Sequence, residues 1–224
     1  MKLKYLGHSV FYLESGSFKA LIDPFITGNP QAAAKVKDFK ELSHIFVTHG
    51  HGDHLGDAIP LAKATGATII TNYEIGDYLE QFGVNIHTMH IGGRVKLDFG
   101  TVKMTPALHG SGISTPGGMI CGGNPGGFII EVDGKKIYHA GDTGLTMDMK
   151  LLEIENIDVA LLPIGGNFTM DITDAVRAVD FISPKVTIPM HYNTFPIIDS
   201  DPEIFKEKAA GDVIILRPGE GYEV

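Results

Sequence analysis

Short runs of β-branched and aromatic residues recur along the 224-residue chain, and they constrain its fold more than any other feature. Gly, Asp or Pro bounds most runs, which is typical of strands rather than of long helices. The predicted strands are Leu3–Leu6, Val10–Leu13, Ala20–Ile22, His44–Thr48, Thr68–Thr71, Val84–His87, Val95–Leu97, Val102–Thr105, Gly127–Val132, Lys136–His139, Val159–Leu162, Val186–Pro189 and Val213–Leu216. So many short strands must pack as sheets against each other or against helices.

Helical patterns lie between some of these strands. The predicted helices are Asp57–Thr65, Tyr73–Phe82, Asp171–Ile182 and Asp201–Ala210. Asn72 suits an N-cap, Pro202 occupies a first-turn position, and Gly211 follows the last helix. The pattern predicts two sheets packed face to face with helices outside, in one α/β domain over residues 1–224.

Charge and cysteine content argue against several classes of protein. Eighteen Lys and Arg against 27 Asp and Glu give a net charge of −9, without the basic face of a nucleic-acid binder. The single Cys121 excludes an internal disulfide framework and fits a reducing compartment; we expect it to be a small buried residue. No apolar run reaches the roughly 20 residues of a membrane span, and Gly7-His8-Ser9 interrupts the first run, which predicts a strand rather than a signal peptide. We therefore expect a cytoplasmic protein without a membrane partner.

Four potential metal ligands crowd into the segment that follows the predicted strand His44–Thr48. His49 and His51 lie two residues apart in extended backbone, so their side chains point the same way. Asp53 and His54 lie on the turn that enters a helix and can face a second point nearby. Imidazole suits Zn, Fe or Ni, and the carboxylate adds a harder oxygen ligand. The sequence therefore predicts a metal site at this strand end.

The His-x-His-x-Asp-His string resembles the signature of the metallo-β-lactamase superfamily. Members of that family have a four-layered αββα sandwich with one or two metal ions at one sheet edge. The other elements of the family pattern follow predicted strands in the family's order: His109, Asp142 in a Gly-Asp setting, and His191, with the early Asp23 supporting the metal loops. The resemblance covers residues 5 to 192 and implies the αββα fold for this chain.

The resemblance also implies the role of each ligand. One metal ion would be held by His49, His51 and His109, and a second by Asp53, His54 and His191. Asp142 would bridge the two ions, a shared hydroxide would be the nucleophile, and Asp53 would also orient it. The implied cofactors are two divalent metal ions, with zinc favoured and Mn, Fe or Ni open.

Two further strings indicate a branch of the family. Leu6-Gly7-His8-Ser9 and Leu21-Ile22-Asp23-Pro24 resemble the compact metal-dependent hydrolases that include ascorbate-6-phosphate lactonase. In that branch His8 would line the site as a proton donor or substrate contact; the alternative is a hydrogen-bonded histidine at a strand end. Asp142 stands where true β-lactamases often have Cys or Ser, and His51 stands where flavin-linked diiron reductases have Glu, so both activities are disfavoured.

The predicted activity is hydrolysis of a small-molecule ester, lactone, thioester or phosphodiester. Two alternatives remain open at this point: a phosphodiesterase or nuclease of the same fold, and a metal-binding protein without turnover. Homo-oligomerisation is also left open by the sequence.

Several other residues carry weaker predictions. His139 is predicted to be a core histidine, and His44, His87 and His90 to be ordinary strand or surface residues. The glycine-dense segment 111–127 is predicted to be either a lid over the metals or a structural loop. Donors from segment 165–170, and from Asn193 and Thr194, are candidate substrate contacts.

Overall fold

The computed structural model describes residues 1–224. Its strands are β1 (Lys2–Gly7), β2 (Val10–Ser15), β3 (Phe18–Ile22), β4 (His44–Phe46), β5 (Thr68–Asn72), β6 (Asn85–Met89), β7 (Arg94–Leu97), β8 (Gly100–Pro106), β9 (Gly112–Thr115), β10 (Gly118–Cys121), β11 (Gly126–Val132), β12 (Lys135–His139), β13 (Val159–Pro163), β14 (Val186–Met190), β15 (Asp212–Val213) and β16 (Gly221–Glu223). Its α-helices are α1 (Gly52–Leu55), α2 (Ala58–Thr65), α3 (Tyr73–Glu80), α4 (Ile172–Ile182) and α5 (Pro202–Lys208). Three 3₁₀ helices span Val36–Asp38, Met147–Glu155 and Pro196–Ile198.

Fourteen of the strands form two sheets of seven. The first sheet has the order β16-β1-β2-β3-β4-β5-β6, and the second has the order β15-β14-β13-β12-β11-β8-β7. Both sheets combine antiparallel hairpins with a parallel part, which runs from β3 to β6 in the first and from β12 to β15 in the second. The strands β9 and β10 form a separate hairpin. The predicted α/β class is confirmed.

The two sheets bury their facing sides against each other. Phe46 of β4 and Phe128 of β11 meet with ring centroids 5.4 Å apart, within a cluster that also takes in Val179 of α4. The neighbouring Ile45 points to the other face of the first sheet, where it packs with Leu61 of α2. Side chains alternate between the two faces of a strand, so one sheet builds both layers of core. The layers are therefore helix, sheet, sheet and helix.

The predicted helices are present, and their capping residues explain where they begin. Asn72 accepts a hydrogen bond from the backbone of Ile75 at the start of α3, and Asp171 does the same from Asp174 at the start of α4. None of the helices combines the length and the apolar composition needed to cross a bilayer.

The glycine-dense segment 111–127 contains the hairpin of β9 and β10. Its role as a lid over the metals stays a prediction. The prediction that Cys121 is buried is wrong, because it ends β10, a strand whose residues are all exposed.

The strand directions bring the predicted site residues to one edge. Strands β1, β3 and β4 end at the same edge of the first sheet, and β8, β12 and β14 end at the same edge of the second. Each of these six strands leads into a segment with a predicted site residue. The site therefore lies where the two sheets meet.

Candidate metal centre

The turn between β4 and α1 packs the histidines of the central string closely. Helix α1 begins directly after His51, whose carbonyl accepts hydrogen bonds from the backbones of His54 and Leu55 at 3.0 and 2.9 Å. A Cβ at Gly50 would lie 2.6 Å from Ile113 and 2.9 Å from the carbonyl oxygen of Ser111, so the turn requires glycine there. As a result, His49 Nε2 lies 3.1 Å from His51 Nδ1.

All seven predicted ligands come together, although they are drawn from segments up to 142 residues apart in the chain (191 − 49). Their nitrogen and oxygen atoms form three groups, in each of which all ligand atoms lie within 4.8 Å of one another. The groups are His8, Asp53, His54 and His191; His49, His51 and His109; and His49, His54 and Asp142. The first two groups correspond to the two ligand sets that the family resemblance implies, with His8 added to one of them, and the third joins His49 and His54 of different sets with Asp142.

Asp142 lies between the two ligand sets. Its Oδ2 is 3.0 Å from His191 Nε2 of one set and 3.5 Å from His109 Nε2 of the other. Its Oδ1 is 3.2 Å from His54 Nε2. The side chain is only 3% exposed, so water compensates little of its charge.

The polar atoms at the centre fit metal ions better than they fit each other. Asp142 Oδ1, His54 Nε2 and His191 Nε2 are buried and have no hydrogen-bond partner, which is costly unless another group binds them. Ligands bonded at 2.0–2.1 Å to one tetrahedral zinc ion lie about 3.3 Å apart, close to the 3.0–3.5 Å separations around Asp142. The imidazole and carboxylate donors suit zinc and similar divalent metals.

Asp23 and Thr48 orient two of the histidines from behind. Asp23 accepts hydrogen bonds from the Thr48 amide at 2.8 Å, the Thr48 hydroxyl at 2.7 Å and His54 Nδ1 at 2.7 Å. Because the Thr48 hydroxyl gives its proton to Asp23, it accepts from His49 Nδ1 at 3.0 Å. In their neutral form both rings therefore present an Nε2 lone pair to the centre, the arrangement of metal-binding histidines. The predicted supporting role of Asp23 agrees with these contacts.

The surroundings favour the protonation states that bind metals for two of these residues. Burial raises the pKa of Asp142, but the charges of His54 and His191 outweigh it and hold the pKa well below its usual value. Burial lowers the pKa of His49 well below its usual value. His54 differs: burial lowers its pKa, but Asp142 and Asp23 outweigh this and raise the pKa well above its usual value. Metal binding must therefore displace a proton from His54.

The remaining predicted residues fall into different environments. His139 is a core histidine as predicted, with Nε2 2.9 Å from the carbonyl oxygen of Ser9. The Asn193 side chain accepts from the Ser200 backbone at 2.7 Å, so its oxygen serves its own loop. Thr194 turns toward His8 rather than toward open space, with Oγ1 2.9 Å from Nδ1.

Sequence reasoning missed three residues that surround His8. The rings of Phe25 and Phe195 lie 5.7 and 5.8 Å from the His8 ring between centroids. Gln31 accepts hydrogen bonds from the Thr194 hydroxyl and the His8 backbone. None of the three belongs to a motif, and Gln31 lies 163 residues from Thr194 along the chain.

A histidine and carboxylate cluster at the shared edge of two packed sheets is typical of the metallo-β-lactamase fold. A family model described as the β-lactamase superfamily domain matches residues 19–192. The chain belongs to this superfamily, as a metal-dependent hydrolase of the metallo-β-lactamase fold.

Individual relatives and solved structures agree with this assignment. A UPF0173 metal-dependent hydrolase from Alkaliphilus metalliredigens is 64% identical over 99% of both chains. Another from Archaeoglobus fulgidus is 48% identical over 100% of this chain and 99% of its own. The structure of Igni18, a metallo hydrolase from Ignicoccus hospitalis, is 40% identical with a TM-score of 0.90, over 100% of this chain and 98% of the other. YhfI from Bacillus subtilis shares the fold at 16% identity, with a TM-score of 0.77 over 99% of each chain.

Proposed function

We propose that the hydrolase uses a dinuclear metal site to cleave a small ester, lactone, thioester or phosphodiester. The observation that carries the proposal is the position of Asp142. One oxygen, Oδ2, lies 3.0 Å from His191 Nε2 and 3.5 Å from His109 Nε2, and these histidines belong to different ligand sets. A single buried carboxylate in contact with both sets suits a bridge between two ions.

The proposed holders of the ions follow the two sets. His49, His51 and His109 would hold one ion, Asp53, His54 and His191 the other, and Asp142 both. Two such ions supply an acidified water as nucleophile and polarise the substrate oxygen. Zinc is the proposed metal, and Mn, Fe or Ni suit the same donors.

Within this proposal, Asp53 is the carboxylate that faces the reaction. Its side chain is 33% exposed, whereas that of Asp142 is 3% exposed. Burial raises the pKa of Asp53, but the hydrogen bond with His8 and the charge of His54 outweigh it and hold the pKa below its usual range. An ionised carboxylate open to the substrate side can orient the attacking water and accept its proton. His8, 3.3 Å from Asp53, lines the same centre.

The proposed partner is a small organic molecule, met in the cytoplasm. Phe25 and Phe195 lie next to His8, and Leu108, beside His109, is 65% exposed. These side chains offer apolar contact to the body of a substrate beside the polar centre. The net charge of −9 opposes the approach of a nucleic-acid polyanion.

An activity panel tests the proposal. The chain is purified without chelator, loaded with Zn²⁺ or Mn²⁺, and offered chromogenic ester, lactone, thioester and phosphodiester substrates, with His109→Ala in parallel to reveal contaminants. We expect activity toward at least one bond class that falls by more than about 100-fold in the variant, beyond the usual effect of an outer partner of a metal ligand. The lactone arm also tests the predicted resemblance to ascorbate-6-phosphate lactonase.

The panel also separates the alternatives. Cleavage of the phosphodiester alone, or of RNA in an added single-turnover assay, would indicate a phosphodiesterase or nuclease. Two bound metal ions per chain without any turnover on the panel would contradict the proposed activity and indicate a metal-binding protein.

A further inference from the structure

His8 is held in a strained backbone conformation at the turn between β1 and β2. Its φ of 60° lies in the left-handed region, which side chains other than glycine seldom adopt. Its carbonyl oxygen accepts hydrogen bonds from the backbone of His191 at 2.8 Å and from the hydroxyl of Tyr5 at 3.2 Å. The ring is fully buried and lies 4.1 Å from the His191 ring between centroids. Strain that several contacts maintain is typical of a functional position.

The hydrogen bonds around His8 allow Nδ1 to carry the ring proton. The backbone N–H of His8 donates to Gln31 Oε1, which fixes the orientation of the Gln31 amide. The other partners of the Thr194 hydroxyl are acceptors, namely Gln31 Oε1 at 3.1 Å and the carbonyl oxygen of Tyr192 at 3.4 Å. With its proton given to one of these acceptors, the hydroxyl accepts from His8 Nδ1, which is 2.9 Å away. In that tautomer Nε2 carries a lone pair, whereas in the other tautomer Nε2–H donates to Asp53.

This arrangement repeats that of His49. In this tautomer of His8, as in His49, Nδ1–H donates to a threonine hydroxyl whose own proton is given to another acceptor, Thr194 for His8 and Thr48 for His49. In both, Nε2 is turned toward the centre. An anchored Nδ1–H with a free Nε2 is the arrangement that orients a histidine to bind a metal.

The Nε2 lone pair of His8 faces other ligand atoms. It lies 3.3 Å from Asp53 Oδ2, and the two atoms belong to one group with His54 and His191, all within 4.8 Å. A lone pair and an ionised carboxylate oxygen at this distance repel each other unless a proton or a metal ion lies between them, and a bound metal ion would replace the proton. The separation is in the range of roughly 3–3.4 Å between adjacent ligands bonded at 2.0–2.2 Å to one metal ion.

We propose that His8 is a metal ligand, and that its Nε2 binds the same ion as Asp53, His54 and His191. The proposal rests on the proposed function, since it adds a donor from the β1–β2 turn to one of the two ion sites. His8 would thus bind the ion directly, whereas the sequence predicted only that it lines the site.

The test measures metal binding rather than turnover. His8→Gln removes the imidazole but keeps an amide that can hydrogen bond to Thr194. Phe195→Leu is the matched control, because Phe195 also packs on the His8 ring but offers no donor atom. Zn²⁺ affinity is measured by competition with a chromophoric chelator, and bound metal by elemental analysis. We expect His8→Gln to weaken one of the two Zn²⁺ ions by more than about 100-fold, beyond the effect of an outer partner, and the control to bind both as wild type.

Cobalt substitution gives an independent signature. In the Co²⁺-loaded protein, the exchangeable ring proton of each bound histidine gives a strongly shifted proton NMR signal. We expect His8→Gln to lack one such signal that wild type and Phe195→Leu both show. If the variant keeps every shifted signal and the wild-type affinity, His8 is a hydrogen-bond partner of Asp53 and the proposal is wrong.

A measurement on wild type covers the case in which His8→Gln does not fold. The ¹⁵N signals of the imidazoles are followed during Zn²⁺ titration, with the His8 ring identified by its proximity to Phe25. A shift of His8 Nε2 to the zinc-bound range supports the proposal, and a protonated Nε2 in the loaded protein overturns it. Both results are independent of hydrolysis, so an inactive panel would contradict the proposed function without deciding the role of His8.

Discussion

Two buried carboxylates, Asp142 and Glu155, have opposite surroundings. Glu155, on the 3₁₀ helix Met147–Glu155, accepts from Arg94 with both oxygens, at 2.7 and 2.8 Å, and from Lys103 at 2.7 Å. Asp142 has only histidines near it, and its Oδ1 has no hydrogen-bond partner. Their side chains are similarly inaccessible, at 9% and 3% exposed. Burial alone therefore does not distinguish the two acids, whereas the neighbouring groups do.

The difference separates a stabilising acid from a functional one. Permanently charged Arg and Lys compensate Glu155 as soon as the chain folds. Histidines compensate Asp142 only when they are protonated, and in their neutral form they leave the negative charge for another cation. A buried acid surrounded by histidines is therefore a candidate for metal binding, whereas one paired with Arg and Lys contributes to stability.

Replacing Asp142 should have the largest effect. Asp142→Asn keeps the shape of the side chain but removes the charge that both ligand sets contact. We expect bound Zn²⁺ to decrease and kcat/KM to fall by more than about 100-fold, beyond the loss caused by an outer partner. Elemental analysis and steady-state kinetics measure both, with circular dichroism to verify folding. Wild-type activity in this variant would show that Asp142 is no more functional than Glu155.

Replacing Asp23 should have an intermediate effect. In Asp23→Asn, an amide nitrogen can replace the carboxylate oxygen that accepts a hydrogen bond from His54 Nδ1. The His54 ring would then lose the hydrogen bond that orients it. We expect Zn²⁺ affinity to fall by about 10–100-fold, the usual range for the partner of a ligating histidine. Chelator competition measures it. An unchanged affinity would mean that packing alone orients His54.

Replacing Glu155 should affect stability and leave the site intact. Glu155→Gln weakens the hydrogen bonds from Arg94 and Lys103, and we expect the free energy of unfolding to fall by about 1–2 kcal/mol. For a chain of this size that corresponds to a decrease of roughly 2–8 °C in Tm. Urea denaturation and calorimetry check it, while Zn²⁺ binding should match wild type. A loss of metal in this variant would remove the contrast with Asp142.

The pH dependence of that stability difference should be the smallest effect. Burial raises the pKa of Glu155, but Lys103 and Arg94 outweigh it and hold the pKa below its usual 4.5. A carboxyl with a lowered pKa in the folded state stabilises it above the unfolded pKa and loses that contribution as the pH falls through the folded pKa. The difference between wild type and Glu155→Gln should therefore be constant from pH 7 to about pH 5 and shrink below about pH 4.5. Denaturation curves across this range would contradict the prediction if the difference grew in acid.

The sequence predicted those parts of the molecule that depend on neighbouring residues. The His49–His54 string lies within one turn, so its clustering follows from local backbone geometry. His109, Asp142 and His191 were predicted through the family pattern, and the structure brings them to the same edge. The contacts between individual side chains could not be predicted from the sequence. For example, His8 and Gln31 both contact Thr194, which lies far from them along the chain.

One missed element and one wrong prediction have physical causes. The 3₁₀ helix Met147–Glu155 buries Met149, Leu152 and Glu155, three residues apart. That spacing belongs to a 3₁₀ helix, and the third residue is charged, so no amphipathic α-helical stripe is visible. Cys121 was expected inside because it is small and apolar, but the hairpin that carries it leaves β10 exposed.

Because the site draws residues from both sheets, metal binding would stabilise the folded state of the chain. His49 and its neighbours extend from the first sheet, and His109, Asp142 and His191 from the second. An ion bound by both groups recognises only the state in which the sheets are docked. By mass action, free metal at 100 times its Kd would add about 2.7 kcal/mol to the stability of that state. A cell short of the metal would then hold less folded enzyme as well as less active enzyme.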